Sequence, residues 1–555
     1  MSGFIGRISK GKTPLRPLTI AEPILLARGP DGRGSWQSTD GRVELLFRRL
    51  ATVGNCSHTD QPVVRSDLGL VGIFDGQLYN VEELATTLKN VCECPLSDAE
   101  LVLCAYSRWG KNAFAKLRGT FVGCLVDERA RTVQLFVDPV GQKPCFIYQG
   151  DDEVIFASSV KAIFTTAERE LPLDESSVRD FWDKGFVAPS RCILRDVRPL
   201  RPGEVLECDW DGEVRAAEII KPPVEPVSCA SFADATSRVR ELLLKAVKNR
   251  LRGIVSPVCL VSGGIDSTVV SLLCAEVAKP RLLSLGGWSW AVPDIRYARY
   301  VAKRLGLELI EVRPDLGNFA QELIWMTALL DEPLAPMSFL PLSLLVREVR
   351  QLTNVVFTGD GGDEVFCGYG SPSDWIAPAP REWDEDALVG SIVPRWMSEY
   401  GKEAISDVLV GHMFRKLDQA SSQQGVEARC PFLDWELIAL ARQLPPEVLF
   451  FGNQPKAILR KGILKDWPST IVDRRKVGFT FRLRYLWGAT LFRGLRDLVA
   501  SDAVEMFGQY LPRSLRKPPK RWRTIDIFLN FPSVWKLAVW SQYNQSLQKL
   551  RNVDT

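Results

Sequence analysis

Chemistry is concentrated in the string Ser262-Gly263-Gly264-Ile265-Asp266-Ser267. Its adjacent glycines let backbone N–H groups converge with no Cβ in the way, and the hydroxyls of Ser262, Ser267 and Thr268 add donors. Such a nest binds phosphate. The order is not that of a P-loop, because no lysine follows the glycines. Asp266 is also out of place beside a bare anion, a conflict that a bridging Mg2+ removes. The string therefore predicts a pyrophosphate loop at which ATP is cut between its α and β phosphates and AMP passes to an acceptor. The plain alternative is a glycine turn in an ordinary α/β unit.

Other places carry matching residue types. Thr358-Gly359-Asp360-Gly361-Gly362-Asp363-Glu364 packs three carboxylates into a glycine turn, where they repel one another unless a cation is near. A Mg2+ contact from Asp363 meets that need; a solvated acidic turn is the alternative. The basic string Arg474-Arg475-Lys476-Val477-Gly478-Phe479 offers Lys476, a fixed cation suited to charge building at the α-phosphate and the leaving pyrophosphate. Lys456, in Asn453-Gln454-Pro455-Lys456, is a second such cation. A charge run is otherwise a solvated face. At Ser284-Leu285-Gly286-Gly287 the backbone could approach an adenine ring, or form a plain loop.

These residues need strands to hold them. Val255 to Val261 and Asn354 to Thr358 read as strands entering the first two turns, and Arg281 to Leu285 and Glu308 to Val312 as two more, separated by helical segments. That alternation predicts an α/β doubly wound parallel sheet, whose ligands sit at the carboxyl ends of the strands. Ser231 to Arg250 precedes it as a helix, and beyond Trp375 the pattern is mostly helical. From Met1 to about residue 220 the chain alternates in short segments: Phe4 to Ile8, Val43 to Phe47, Leu68 to Phe74, Thr120 to Val126, Val133 to Val137 and Glu153 to Ala157. With helical stretches near Val81 to Leu88 and Asp98 to Trp109, these predict an α+β domain of layered antiparallel sheets. Ile219 to Val227, holding Lys221-Pro222-Pro223 and Pro226, reads as a linker between domains at 1–220 and 228–555.

Composition excludes several classes. Hydrophobic content of 46% and charged content of 25% describe an ordinary soluble globular protein, and a net charge of +3 is too small to argue for nucleic acid. Arg513 to Arg523 is locally basic and reads as a solvated rim. No run approaches the roughly 18 apolar residues of a membrane span, and the N-terminus lacks a signal-peptide pattern, which predicts a cytoplasmic protein with no membrane partner. Thirteen cysteines without metal spacing read as buried thiols in a reducing compartment. With only His58 and His412, a histidine-rich metal site or a Ser-His-Asp triad is hard to build.

Taken in order, these strings resemble the class B, glutamine-dependent asparagine synthetase superfamily. The resemblance spans LVSGGIDST, Leu330-Asp331-Glu332-Pro333-Leu334, FTGDGGDEVFCGYG, Val426-Glu427-Ala428-Arg429-Cys430-Pro431-Phe432-Leu433-Asp434, KAILRKGIL and RRKVGF. In the N-terminal half it spans Arg28-Gly29-Pro30-Asp31, Gly76-Gln77-Leu78-Tyr79-Asn80, Ser97-Asp98-Ala99-Glu100, Leu117-Arg118-Gly119-Thr120-Phe121 and Asp138 to Pro144. It implies an Ntn-hydrolase-like αββα glutaminase sandwich followed by a pyrophosphate-loop synthetase domain using ATP and Mg2+. It also implies that Ser262, Gly264, Asp266 and Ser267 hold pyrophosphate, that Asp266 and Asp363 serve Mg2+, and that Lys476 is the catalytic lysine. Gly263, Leu285, Gly286, Gly359 and Lys456 complete the expected nucleotide contacts, and Asp360, where true asparagine synthetases usually have glutamate, joins Lys476 as catalytic.

The departures are as informative. The family's glutaminase begins Met-Cys-Gly, the cysteine being nucleophile and, through its amine, base; here the string is Met1-Ser2-Gly3. An unassisted serine is a far poorer nucleophile than a thiol. Asp75 stands where the family usually has an oxyanion-stabilising asparagine, and Val137 replaces an expected arginine. Residues 1–220 are therefore expected to keep the fold without hydrolysing glutamine. Relatives lacking the cysteine include β-lactam and carbapenam synthetases and lasso-peptide macrolactam cyclases, which adenylate a carboxylate and let an amine of the same molecule attack. The expectation is an AMP-forming ligase of that kind. Val365-Phe366-Cys367 leans towards the lasso cyclase, and Phe339 falls where β-lactam formation would need a tyrosine. The expected partner is a small molecule or precursor peptide carrying both carboxylate and amine, with a peptidase as a possible companion. The alternatives are an asparagine synthetase using ammonia, or glutamine weakly, and a scaffold built on a dead synthetase.

Overall fold

The computed structural model describes residues 2–11, 15–52, 60–89, 97–220, 229, 231–286, 294–313, 318–378, 397–474 and 489–551. Two six-stranded antiparallel sheets fill the N-terminal part, and Gly3–Ser9 lies at the middle of one, between Val43–Arg49 and Glu153–Ala157. Because side chains alternate across a strand, Phe4 and Ile8 enter the core between the sheets with Ile73, Val122 and Leu135, whereas Ile5 packs outward with Ile163 and Phe181. Helices Val160–Thr166 and Glu175–Lys184 supply those outward contacts, and Asp98–Trp109 covers the other sheet at Leu70, Phe74 and Phe121. The layers are thus helix, sheet, sheet, helix. Asp98–Trp109 begins with a capping box, in which Ser97 accepts from the Glu100 N–H and Glu100 accepts from that of Ser97.

The C-terminal part holds a five-stranded parallel sheet in the order Leu309–Val312, Arg281–Leu285, Val258–Leu260, Val355–Phe357 and Glu427–Arg429. Strand order reverses beside Val258–Leu260, which puts the 262–267 loop and the 358–364 turn at one switch point. Beyond Glu427–Arg429 the described residues are helical or irregular.

Several expectations shift at their edges. Val255 is 95% exposed, and the strand expected from it starts at Val258. Short edge strands such as Val63–Arg65 and Val197–Pro199 lack a clear alternation and were not anticipated. Neither was Glu427–Arg429, whose charged ends disguise a fully buried strand. Nine described cysteines are free, eight of them buried, but Cys104 stands in a disulfide, against the expectation of thiols throughout. Most of the expected linker, 221–228, lies outside the described residues. Among the described residues no helix is long and apolar enough to cross a membrane.

Candidate functional site

The 262–267 loop leaves Val258–Leu260 and runs into the helix Ile265–Val277. Gly263 has φ of +70°, and a Cβ there would meet the Cβ of Tyr297 at 2.3 Å, so only glycine fits the turn. Ser262 Oγ accepts the Gly264 N–H at 3.2 Å, and Ser267 Oγ donates to the Gly264 carbonyl at 3.2 Å while accepting from the Ser262 N–H. These bonds hold the hydroxyls against the loop backbone at the start of a helix, where the dipole favours an anion.

The acidic turn lies directly against this loop. A Cβ on Gly359 would come within 2.7 Å of the Ser267 nitrogen, and one on Gly362 within 2.5 Å of Asp266 Oδ1. That closeness brings Asp266 and Asp363 to one cation, the Lys456 ammonium, whose Nζ is 2.5 Å from Asp266 Oδ2 and 2.6 Å from Asp363 Oδ1. Lys456 is 4% exposed. Burial works against its charge, but the two carboxylates outweigh burial and hold its pKa above that of a free lysine. Gly368 makes room for this arrangement, since a Cβ there would sit 2.0 Å from Asp363 Oδ1 and 2.1 Å from Lys456 Cε.

A cavity of about 690 Å³ opens from these groups. It is lined by Ser262, Gly264, Asp266, Ser267, Gly359, Asp360, Asp363 and Lys456. Arg460 and Arg474 join them, and Arg474 donates to the Ser262 carbonyl, pairs with Asp294 and lies 4.1 Å over the Tyr297 ring. Met337, Leu345, Val408, Met413 and Trp535 also line the cavity, as do His412, Lys416 and Lys536. The Tyr369 hydroxyl, also on the cavity, donates to the buried Glu364 carboxylate at 2.5 Å. Burial and that carboxylate push the phenol well above its usual range.

Most expected residues therefore converge, with exceptions. Gly263 shapes the loop without lining the cavity, and neither Leu285 nor Gly286 lines it: Leu285 is buried, and the Gly286 N–H is spent on the Val312 carbonyl. Lys476 lies outside the described residues. Phe339 is fully buried in the helix Phe339–Leu352, whereas among the described residues the tyrosine lining the cavity is Tyr369, supplied from beyond the acidic turn. Tyr369, Arg460 and Arg474 lie inside strings the sequence singles out, and His412 is one of two histidines, yet nothing there marks them as site residues; only folding brings them to the cavity. The Leu330 to Leu334 string serves the contact between the two parts: Asp331 accepts from Ser159 Oγ and from the Val160 and Lys161 N–H groups, capping the helix Val160–Thr166.

In the N-terminal part Ser2 is 7% exposed. Its N–H donates to Asp75 Oδ1 at 2.8 Å, and its hydroxyl accepts from the Leu50 N–H at 3.2 Å. The same Asp75 oxygen is 3.3 Å from the buried Lys143 ammonium. Val137 is buried in the strand Thr132–Val137, and Asp138 beyond it accepts four backbone N–H bonds. Burial raises its pKa to about 6 in spite of those bonds.

Comparison with known proteins adds a separate finding. The asparagine synthase family model matches residues 238–388 and 393–542, and the glutamine amidotransferase domain model matches residues 1–217. The chain is similar to the glutamine-hydrolysing asparagine synthetase 1 of Bacillus subtilis, at 23% identity over 91% of each chain. It is 27% identical to asparagine synthetase 2 of Oryza sativa over 87% of its own length and 77% of the relative's. It is 26% identical to the amidase chry2 of Gibberella zeae, over 82% and 71% respectively.

Proposed function

We propose, since this chain belongs to the asparagine synthase family and is an ATP-dependent carbon–nitrogen ligase, that it closes an amide within one substrate molecule. One contrast carries the reading: the described phosphate-loop and acidic-turn groups converge on the cavity, whereas the residue that would attack glutamine is a serine, its hydroxyl accepting the Leu50 N–H and its backbone N–H held by Asp75.

In this reading the 262–267 loop holds the phosphates, and Asp266 and Asp363 hold Mg2+. The donor set fits that ion: two inward carboxylates already share one buried cation, and Mg2+ is commonly bound by one or two carboxylates plus substrate phosphate and water. Mg2+ supplies charge neutralisation at the leaving pyrophosphate. Lys456, Arg460 and Arg474 line the same cavity and add cationic stabilisation, with Lys476 as the proposed catalytic lysine. A substrate carboxylate oxygen attacks the α-phosphorus and pyrophosphate departs. The amine then attacks the acyl carbon, the new C–N bond forms, and the bond to AMP breaks. The amine's proton passes to the Tyr369 oxygen as the phenol gives its own proton to the Glu364 carboxylate; Asp360 also lines the cavity.

The finer reading is a lasso-peptide macrolactam cyclase, joining a side-chain carboxylate of a precursor peptide to its N-terminal amine, with proximity supplying the rate. The cavity's volume of about 690 Å³ and its apolar lining residues support it, since they suit a substrate larger than a free amino acid. The relatives' names, glutamine-hydrolysing asparagine synthetases, favour a second reading, an asparagine synthetase, which with serine at position 2 would be fed by ammonia. Incubation with ATP, Mg2+ and either aspartate plus ammonium or candidate peptides decides between them. Stoichiometric AMP and asparagine from the first mixture sinks the cyclase; pyrophosphate exchange driven by peptides alone, and lost in Lys456→Ala, supports it.

A further inference from the structure

The centre that would hydrolyse glutamine is occupied by charge that reaches into the ligase half. Lys143 is 2% exposed, with its ammonium 3.3 Å from Asp75 Oδ1 and 3.6 Å from Glu427 Oε2, the latter on the last strand of the parallel sheet. Glu427 Oε1 accepts from Arg429 Nε at 2.8 Å. Alongside, Arg28 makes a two-pronged pair with Asp418, both bonds at 3.0 Å, and donates to the Ser2 carbonyl. All six ionised groups are 6% exposed or less. Three are cations (Arg28, Lys143, Arg429) and three are carboxylates (Asp75, Asp418, Glu427), so the set is neutral. An uncharged side chain at 75 would leave one buried cation in excess, the costly condition for such clusters.

The set also has a mechanical outlet. Glu427–Arg429 pairs in parallel with Val355–Phe357, and the Arg429 carbonyl accepts the Thr358 N–H at 3.0 Å, at the root of the acidic turn. Cys430 Sγ lies 3.3 Å from Thr358 Oγ1. A shift of Glu427 along its strand is therefore a shift of the turn that carries Asp360 and Asp363.

We propose that Asp75, Lys143 and Glu427 form a buried ionic lock between the two halves, with Lys143 a positioning residue for the acidic turn. Ser2 then serves the N-terminal half by anchoring Asp75 through its backbone, and charge at 75 completes the lock. The proposal goes beyond the ligase reading, because it concerns what the N-terminal part does for the other half.

Four full-length proteins test it: wild type, Asp75→Asn, Lys143→Met and the double variant, each read by denaturant stability and by affinity for N-methylanthraniloyl-ATP with Mg2+. Each single variant is expected to bind the nucleotide roughly three- to tenfold more weakly than wild type. The double variant, neutral again, is expected to recover most of the loss, both in affinity and in stability. A hydrogen bond important only to its own strand would show no such recovery. Should a single variant unfold, a folded double variant upholds the lock and an unfolded one overturns it. Unchanged affinity in both single variants, or additive losses in the double, also overturns it. If wild type binds no nucleotide, the ligase reading fails, and the lock is still decided by the coupling in stability.

Discussion

At the scale of single residues, the site depends on atoms that are absent. Gly368 leaves the space in which Lys456 reaches Asp363, and a methyl group there would overlap both. Gly368→Ala is therefore expected to cut pyrophosphate exchange by about a hundredfold or more, since a displacement of order 1 Å in a reacting site costs that much. Far-ultraviolet dichroism should be unchanged, because the clash is local. Retained exchange would show that Lys456 is not needed beside Asp363. The glycines and acids of the turn were legible in the sequence, because their types are rare together. Gly368 was not, since its role exists only once Lys456, 88 positions later, folds against it.

At the scale of elements, Ala404–Phe414 is a π-helix packed on the cavity, a form often found at functional sites. It carries His412, whose ring stacks on Phe186 at 5.5 Å and whose Nε2 has no hydrogen-bond partner among the described residues. Burial, with a smaller push from Lys416, lowers its pKa to about 3. A base whose pKa falls on folding binds protons more readily when unfolded, so stability is lost as pH drops from its ordinary 6.5 towards 3. The expected slope from this group approaches 1.4 kcal/mol per pH unit, as an order-of-magnitude figure. His412→Phe keeps the stack and removes the proton site, and should flatten that part of the denaturant-stability profile. An unchanged profile would place the acid sensitivity elsewhere. In the same window Glu427 acts later: burial raises its pKa, Arg429 and Lys143 outweigh that, and at about 2 its stabilising charge is present above the ordinary 4.5 and lost below it.

At the scale of the molecule, the two parts share one apolar core. Trp182 stacks on Phe507 at 4.6 Å, and Phe181 packs on Trp540 at 5.4 Å. Buried Asp331, Asp418 and Glu427 find partners across the same junction. The full chain is expected to melt in one calorimetric transition, and residues 228–555 expressed alone to be insoluble or melt well below it; a fragment melting with the intact chain would refute this. By itself the sequence determined the phosphate-binding turn, the acidic turn, most long strands and the loss of the thiol, because each is written in adjacent residues whose types dictate backbone and charge. Only the tertiary structure decided that Lys456 bridges two carboxylates, that Tyr369 rather than Phe339 faces the cavity, and that Asp75 belongs to an ion cluster. Those facts depend on pairs distant in the chain, and burial sets their energies after the chain has closed on itself.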